Sequence, residues 1–287
     1  PFRMTFYIVT FTLGVELAGA LALYPYFRGR VDDPVFASVF HAVSAFCSAG
    51  FSIFRTSLES HRASAYLLLC ICALIVCGGL GFLVFVDMVK CVAGWRRTLT
   101  FHTRVVLVST ASLIAVGAAL FYLFEAGNTM AGLGAGDRLV NALFQSITPR
   151  TAGFNALRQS EIAQPSKVLT MLLMLIGGSS GSAAGGIKTT TAFLVLMQLF
   201  AARDRYGEIA VFDRKVGSST LSDALLFAVR ALGLLFVGVF LLVVFESGSG
   251  SSFVELAFES FSAFGTVGLS LGVTSRLSAA GKLVVMA

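Results

Sequence analysis

Two long runs without a charged residue most constrain the fold of this chain. Neither Ala63–Val86 nor Val105–Phe124 contains Asp, Glu, Lys or Arg, and each exceeds the roughly 18 apolar residues that mark a membrane-crossing helix. Of the 287 residues, 56% are hydrophobic and 13% are charged, whereas soluble domains carry about 25% charged residues. The sequence therefore predicts an all-α polytopic membrane protein and excludes a soluble globular domain.

Long and short apolar stretches alternate along the chain. The further long stretches, predicted to span the membrane, are Met4–Phe27, Lys167–Ala202 and Leu221–Phe245. The short stretches are Pro34–Phe51, Asp137–Phe154 and Ser252–Phe264. A helix of about 15 residues reaches about 22 Å, less than the roughly 30 Å hydrocarbon core, and the backbone beyond it is tolerated only inside protein or beside water. The short stretches are therefore predicted to be re-entrant pore helices, with amphipathic surface helices as the alternative.

Each short stretch carries or leads into a turn centred on glycine, and the three turns share one pattern. A hydroxyl residue, an apolar residue, glycine and a large apolar residue follow in order. The three copies are Ser48, Ala49, Gly50 and Phe51, then Thr151, Ala152, Gly153 and Phe154, then Thr266, Val267, Gly268 and Leu269. The last copy differs from the potassium-channel filter TVGYG only at its final two positions. In that filter backbone carbonyls replace the water around K⁺, and glycine permits the dihedral angles required. These residues, called here the three glycine turns, are therefore predicted to bind K⁺ as a repeated selectivity filter.

A second glycine-rich stretch, IGGSSGSAAGGIKTTT at residues 176–191, interrupts the longest apolar region. Glycine disfavours helix by about 1 kcal/mol relative to alanine, so two half-helices joined by an intramembrane loop are expected. We predict a movable gate at residues 177–186, with Lys188 either donating to loop carbonyls or repelling cations in the closed state. The loop residues are Gly177, Gly178, Ser179, Ser180, Gly181, Ser182, Ala183, Ala184, Gly185 and Gly186.

Two alternatives compete for this loop. Small residues also allow close packing of membrane helices. A phosphate-binding loop of a membrane-bound ATPase has similar glycine spacing, but it needs lysine where Ile187 stands and a preceding strand. The sequence contains no nucleophile–base set, so we predict that the protein is not an enzyme and uses no organic cofactor. The basic residues are scattered through connecting segments, so no nucleic-acid partner is expected. The five cysteines are expected to be small hydrophobic residues without disulfides or zinc.

The stretches TPRTAGFN (148–155), GGSSGSAAGGIKTTT (177–191), GGLGF (78–82) and SAFGTVGLS (262–270) resemble the Trk/Ktr/HKT superfamily of cation transporters. The bacterial Ktr-type membrane subunit is the most similar branch. This resemblance implies K⁺ uptake across the cell membrane by four repeated units around a pseudo-fourfold pore. Each unit has a membrane helix (M1), a re-entrant pore helix (P) and a second membrane helix (M2).

The resemblance also implies how the chain divides. Residues 1–88 are expected to be the second M1-P-M2 unit. Residues 89–202 are expected to be the third unit, containing the 177–186 loop, and residues 203–287 the fourth unit, truncated in its M2 helix. The first unit is expected to lie outside this sequence, so we predict that these residues alone do not transport.

Partners and ions follow from the same resemblance. K⁺ is the implied transported ion, Na⁺ is a candidate activator, and a Na⁺-permeable transporter of the same superfamily is the alternative function. A homodimer in membrane lipid is implied, resting on a cytosolic ring of nucleotide-binding regulatory subunits.

Three charged residues fall inside or beside apolar regions. Glu16 and Arg230 are predicted to form a structural ion pair, with each other or with backbone, with a transport role as the alternative. Arg150 is predicted either to donate to the carbonyls of the adjacent glycine turn or to face the outer vestibule.

Overall fold

A computed structural model describes residues 2–182, 184–200, 209–212 and 214–286 of the chain. Ala183 of the predicted gate, residues 201 and 202 of the predicted long stretch and most of the linker at 203–215 lie outside these ranges.

The described residues form mostly α-helix. The helices are α1 (Phe2–Phe27), α2 (Pro34–Phe46), α3 (Ala65–Leu80), α4 (Phe82–Val92), α5 (Phe101–Glu125), α6 (Ala135–Ile147), α7 (Gln164–Leu175), α8 (Thr189–Phe200), α9 (Ser218–Phe245), α10 (Phe253–Phe264) and α11 (Ala279–Met286). A two-stranded antiparallel hairpin, β1 (Ile209–Val211) and β2 (Arg214–Val216), pairs Ile209 with Val216. The sequence did not predict this hairpin.

Three of the helices are long and apolar enough to cross a membrane: α1 over Thr5–Phe27, α5 and α9. Each is followed by one of the short helices α2, α6 and α10, which packs against it. A glycine turn and a second helical segment then follow, so the same order of elements occurs three times. We call each occurrence a unit.

Local sequence signals explain where the short helices begin. Asp33 caps α2 by accepting a hydrogen bond of 2.9 Å from the backbone N–H of Phe36, and Pro34 occupies the first helical position. Helix α10 begins with a capping box, in which Ser252 and Glu255 each accept from the other's backbone N–H. These caps fix the starting points of the helices that lead to the glycine turns.

One stretch that was predicted to be a single straight span is bent in the structure. Ala63–Val86 was expected to be one continuous helix, but the structure breaks it at Gly81, and α3 and α4 meet at 95°. Gly81 has a φ of 77°, a conformation that favours glycine. The absence of charge identified an apolar segment but carried no information about its direction.

Successive units are joined through their second helices. Helix α3 of the first unit in the chain packs against α6 of the next, and α7 packs against α10. The largest buried cluster combines Phe27 and Leu68 with Phe144 and Phe154. The glycine turns therefore sit at the junctions between units, where each is supported by two of them.

Candidate ion pathway

The three glycine turns share one backbone conformation. In each turn the hydroxyl residue and the glycine have positive φ and are separated by one residue. The φ angles are 52° and 72° at Ser48 and Gly50, 73° and 80° at Thr151 and Gly153, and 52° and 85° at Thr266 and Gly268. Non-glycine residues in this region store strain of about 1–3 kcal/mol each, and such strain clusters at functional sites. Three identical strained patterns indicate a shared task.

The turns converge on one another. A methyl group placed on Gly50 would lie 2.4 Å from the carbonyl oxygen of Ala152 and 3.1 Å from the Cα of Gly153. One placed on Gly153 would lie 2.1 Å from the carbonyl oxygen of Val267. The structure thus brings together all three predicted sets of residues, and only glycine fits where the backbones meet.

Hydroxyl groups of the turns are left free to bind a ligand. Among the described residues, Ser48 Oγ and Thr151 Oγ1 are buried without a hydrogen-bond partner. Leaving a buried hydroxyl unpaired costs about 1–3 kcal/mol. Together with backbone carbonyls, these oxygens form a donor set suited to a dehydrated alkali cation. In the described part of the chain no three His, Cys, Asp or Glu side chains cluster as a divalent metal site would need.

The pore helices hold the turns in place from behind. Ser44 Oγ donates to the carbonyl of Phe51 at 2.7 Å, and Thr148 Oγ1 donates to the carbonyl of Phe154 at 2.7 Å. In the last unit the contact is reversed, because Ser270 Oγ donates to Glu259 in α10 at 2.9 Å. These bonds fix the direction of each turn relative to its helix.

The predicted break at 176–191 is present. Helix α7 ends at Leu175 and α8 begins at Thr189, and twelve residues give each about 18 Å of length. Between them the chain forms a loop that is closed by a parallel bridge of Ile176 to Ile187. Gly177 N–H donates to Ile187 O at 2.9 Å, and Ile187 N–H donates to Leu175 O at 3.0 Å. We refer to the enclosed residues as the 177–186 loop.

The 177–186 loop lies against two of the glycine turns. A methyl group on Gly177 would lie 3.5 Å from the methyl of Thr151, and one on Gly185 would lie 2.3 Å from Thr266 Oγ1. The loop therefore packs under the hydroxyl residues that begin these turns.

The far side of the 177–186 loop is attached to the break between α3 and α4. Ser179 N–H donates to Gly79 O at 2.9 Å, and Ser179 Oγ donates to Leu80 O. A methyl group on Gly81 would lie 2.9 Å from the carbonyl carbon of Gly181. Two interrupted helices from neighbouring units thus contact each other at their interruptions, which the sequence analysis missed. The signal that could have found it was the GGLGF stretch, which the sequence analysis used for the family resemblance and placed inside a continuous span, without predicting a break there.

Lys188 donates to a carbonyl of the loop, as one of its two predictions stated. Its Nζ donates to the carbonyl of Ala184, within the 177–186 loop. The phosphate-loop alternative finds no support here, because the amides of Ser182 and Ile187, which belong to that motif, already donate to the carbonyls of Ser179 and Leu175. A phosphate cradle needs such amides free.

Arg150 departs from both of its predicted roles. It is 8% exposed, so it does not face a vestibule. Its Nη2 lies 3.3 Å from the carbonyl oxygen of Gly177 and 3.5 Å from Thr189 Oγ1, so it contacts the ends of the 177–186 loop instead of its own turn. The chain connects Arg150 to the turn, whereas its long side chain reaches across to the loop.

Glu16 and Arg230 do not form an ion pair with each other in the described structure. Glu16 accepts from Cys47 Sγ at 3.5 Å, and Arg230 is exposed on α9. The five cysteines are free. Burial, as expected of small hydrophobic side chains, is complete only for Cys72, since Cys70, Cys77 and Cys91 are half-buried and Cys47 is exposed.

Two carboxylates that the sequence analysis overlooked connect the first and second helices within a unit. Glu125 accepts from the backbone N–H of Ala163 at 2.8 Å, and Glu246 accepts from that of Ser278 at 2.8 Å. Each glutamate ends a first helix and binds the start of a second helix in the same unit. A sequence signal existed, since both follow phenylalanine and precede a small residue and glycine, in FEAG and FESG.

Comparisons with known proteins agree with this geometry. The model of the TrkH family, described as a cation transport protein, matches residues 3–287. The chain is 38% identical to the potassium/sodium uptake protein NtpJ of Enterococcus hirae, over 99% of this chain and 63% of that protein. It is 37% identical to the Ktr system potassium uptake protein B of Bacillus subtilis, over 96% of this chain and 62% of that protein.

A solved structure has the same fold. The potassium transporter TrkH from Vibrio parahaemolyticus superposes with a TM-score of 0.75 at 19% identity, covering 99% of this chain and 59% of that one. The prediction of an all-α polytopic membrane fold is confirmed. The chain spans less than two thirds of the length of the relatives described here.

Proposed function

Because the chain belongs to the TrkH family of cation transport proteins, we propose that it builds most of the ion pathway of a multi-pass membrane protein for K⁺ uptake. The observation that carries this proposal is the convergence of three glycine turns with the same strained backbone. Their carbonyl oxygens and free hydroxyls replace the hydration shell of K⁺. The membrane gradient drives the ion, and the protein supplies the selective route.

The 177–186 loop serves as the gate in this proposal. It packs beside Thr151 and Thr266, and it is held by Arg150 at one side and by the α3–α4 break at the other. Irregular backbone at membrane depth is stable only where it is buried in protein or lines a cavity. A loop held by a few hydrogen bonds can leave the pathway without unfolding a helix.

We assign the three units to residues 1–88, 89–202 and 203–287, as the second, third and fourth of four. Gly50 faces the turn of the next unit and Gly153 faces the turn of the one after it. No described atom lies within 4 Å of a methyl group placed on Gly268, so that side of the ring is open to a further turn. A fourth unit completes the ring around a pseudo-fourfold axis.

The assembly we propose is a homodimer in the lipid membrane that rests on a cytosolic ring of nucleotide-binding regulatory subunits, with Na⁺ as an activator. The relative from Bacillus subtilis is named as protein B of a system, which supports a partner subunit, whereas the dimer, the ring and the Na⁺ activation follow from the family resemblance alone.

A Na⁺-permeable transporter is the second candidate function. The relative from Enterococcus hirae carries both potassium and sodium in its name. The three glycine turns are not identical, since Ala49 and Ala152 stand where Val267 stands in the last turn, and an uneven filter discriminates less sharply between cations.

Cation uptake tests the proposal directly. The protein expressed from its complete coding sequence, in a host deficient in K⁺ uptake, should restore growth at low K⁺ and accumulate Rb⁺. Competition by Na⁺ separates the two candidates, because strong competition favours the Na⁺-permeable alternative. Membrane-inserted protein that accumulates neither cation would overturn both.

A further inference from the structure

Arg150 carries a buried charge without a counter-ion. It is 8% exposed, and no Asp or Glu in the described part of the chain pairs with it. One guanidinium nitrogen, Nη2, reaches two oxygens, whereas Nε is buried without a partner. Ionisable groups at membrane depth are costly and are usually functional.

The surroundings do little to screen this charge. Arg150 lines a cavity of about 10 Å³ together with Ile75, Val76, Ile147 and Thr110. Such a volume holds about one water molecule. The electric field of the guanidinium is therefore screened less than it would be in bulk water.

The nearest functional group in this field is the second glycine turn. Thr151 follows Arg150 in the chain, and both side chains meet the same residue of the 177–186 loop. Arg150 Nη2 lies 3.3 Å from Gly177 O, and the methyl of Thr151 lies 3.5 Å from the position of a Cβ on Gly177. The side chains of Arg150 and Thr151 thus both adjoin Gly177, which places the positive charge next to the residue that begins the second glycine turn.

We propose that Arg150 determines how tightly the second glycine turn holds its cation, by placing an uncompensated positive charge directly beside it. The inference rests on the proposed function, since it concerns the ion that passes these turns. A filter must bind ions well enough to strip their water and weakly enough to release them. Carbonyl oxygens and free hydroxyls attract the cation, and the positive charge of Arg150 repels it, which permits release.

The test separates charge from hydrogen bonding at this position. Arg150→Gln removes the charge and keeps donors, whereas Arg150→Lys keeps the charge and loses the guanidinium fork. K⁺-dependent thermal stabilisation of the purified complete protein reports ion binding without requiring transport. We expect Arg150→Gln to lower the half-saturating K⁺ concentration by about tenfold, the order expected for one unit charge at intermediate dielectric. Arg150→Lys should stay close to the unmodified protein.

A second variant neutralises the charge without touching Arg150. Thr110→Asp places a carboxylate in the same small cavity with little change of volume, so it should also tighten K⁺ binding. Rb⁺ uptake should show a lower apparent KM in Arg150→Gln and Thr110→Asp. The maximal rate should fall in Thr110→Asp, where Arg150 still holds the 177–186 loop, since ions that bind tighter leave more slowly. Arg158→Gln is the control, because Arg158 is exposed and already paired with Glu161 and Glu59.

The outcomes are distinct. If the unmodified protein shows no K⁺-dependent stabilisation, the glycine turns do not bind K⁺, and the proposed function falls together with this inference. If K⁺ does stabilise the unmodified protein, but Arg150→Gln and Thr110→Asp bind K⁺ as tightly as the unmodified protein or more weakly, only the role of Arg150 is overturned. Arg150→Lys behaving like Arg150→Gln would assign the effect to hydrogen-bond geometry and would also overturn the inference.

Discussion

At the scale of single residues, contacts with the adjoining unit, more than the φ angle, determine where the glycine turns require glycine. Gly153 has a φ of 80°, and a methyl group there would lie 2.1 Å from Val267 O. Thr151, two residues earlier, has a φ of 73° and carries a side chain nonetheless. The difference is the contact with the adjoining unit.

Gly153→Ala should therefore reduce selectivity for two reasons. It strains the backbone at Gly153, and its methyl group displaces Val267 O of the adjoining unit. We expect the K⁺ over Na⁺ preference of uptake to fall, with a loss of about 1–3 kcal/mol in stability from backbone strain. Gly136→Ala is the matched control, because no described atom lies within 4 Å of that position and it lies in helix α6. Alanine there should be neutral or stabilising by up to about 1 kcal/mol. An unchanged cation preference in Gly153→Ala would contradict the filter assignment.

At the scale of elements, the contact between two interrupted helices determines how the 177–186 loop is held. Helix α3 turns by 95° into α4 at Gly81, and this turn exposes the carbonyls of Gly79 and Leu80 to Ser179. Carbonyls in an uninterrupted helix are occupied within the helix. The bend of one unit thus provides the attachment point for the loop of the next.

Ser179→Ala should make the loop easier to displace. It removes the hydroxyl bond to Leu80 O but leaves the backbone bond to Gly79 O. One hydrogen bond of about 1 kcal/mol corresponds to an increase of about fivefold in the open fraction, so the maximal rate of Rb⁺ uptake should rise while the cation preference stays unchanged. Ser249→Ala is the control, since that hydroxyl also donates to a carbonyl, Glu246 O, which does not belong to the loop or to the α3–α4 break. A maximal rate equal to that of Ser249→Ala would show that the hydroxyl bond of Ser179 does not hold the loop in place.

Glu246 predicts a dependence of stability on pH. The hydroxyl and the backbone N–H of Ser278 donate to its carboxylate at 2.7 and 2.8 Å, and these bonds lower the pKa of Glu246. A lowered folded-state pKa contributes stability above the unfolded value, about 4.3, and this contribution is lost as the pH falls through the folded value.

The protein should therefore lose thermal stability more steeply than Glu246→Gln between about pH 6 and pH 3. Unfolding temperatures in detergent across this range provide the measurement. Parallel curves for the two proteins would show that the carboxylate does not contribute in this way.

At the scale of the whole molecule, three units place their turns together and leave apolar side chains outside. Leu17 on α1 is 63% exposed and Phe236 on α9 is 73% exposed, as expected for helices that face lipid. The first turn contacts the second at Gly50 and Gly153, and the second contacts the third at Gly153 and Val267. Gly268 adjoins no other turn in the described structure. Cations at a ring open on one side would keep part of their water.

Residues 1–287 expressed alone should therefore insert into membranes without supporting Rb⁺ uptake. The complete coding sequence, expressed to the same level in the same deficient host, is the control. Uptake by the 287-residue chain would show that three turns suffice and would remove the need for a fourth unit.

The sequence by itself determined the membrane class, the three glycine turns and the break at 176–191. Each of these depends on local composition: a charge-free run cannot be solvated elsewhere, and clustered glycines cannot sustain a helix. The sequence analysis expected unusual dihedral angles only at the glycines, whereas the structure also shows positive φ at Ser48, Thr151 and Thr266.

Only the tertiary structure decided the bend at Gly81, the reach of Arg150 to Gly177, and the attachment of Ser179 to Leu80. Ser179 and Leu80 are far apart in the chain and belong to different units, and an apolar stretch carries the same hydrophobicity whether it runs straight or turns. Such contacts are fixed by which backbone groups remain unpaired once the units have packed, and burial in the membrane makes pairing them obligatory.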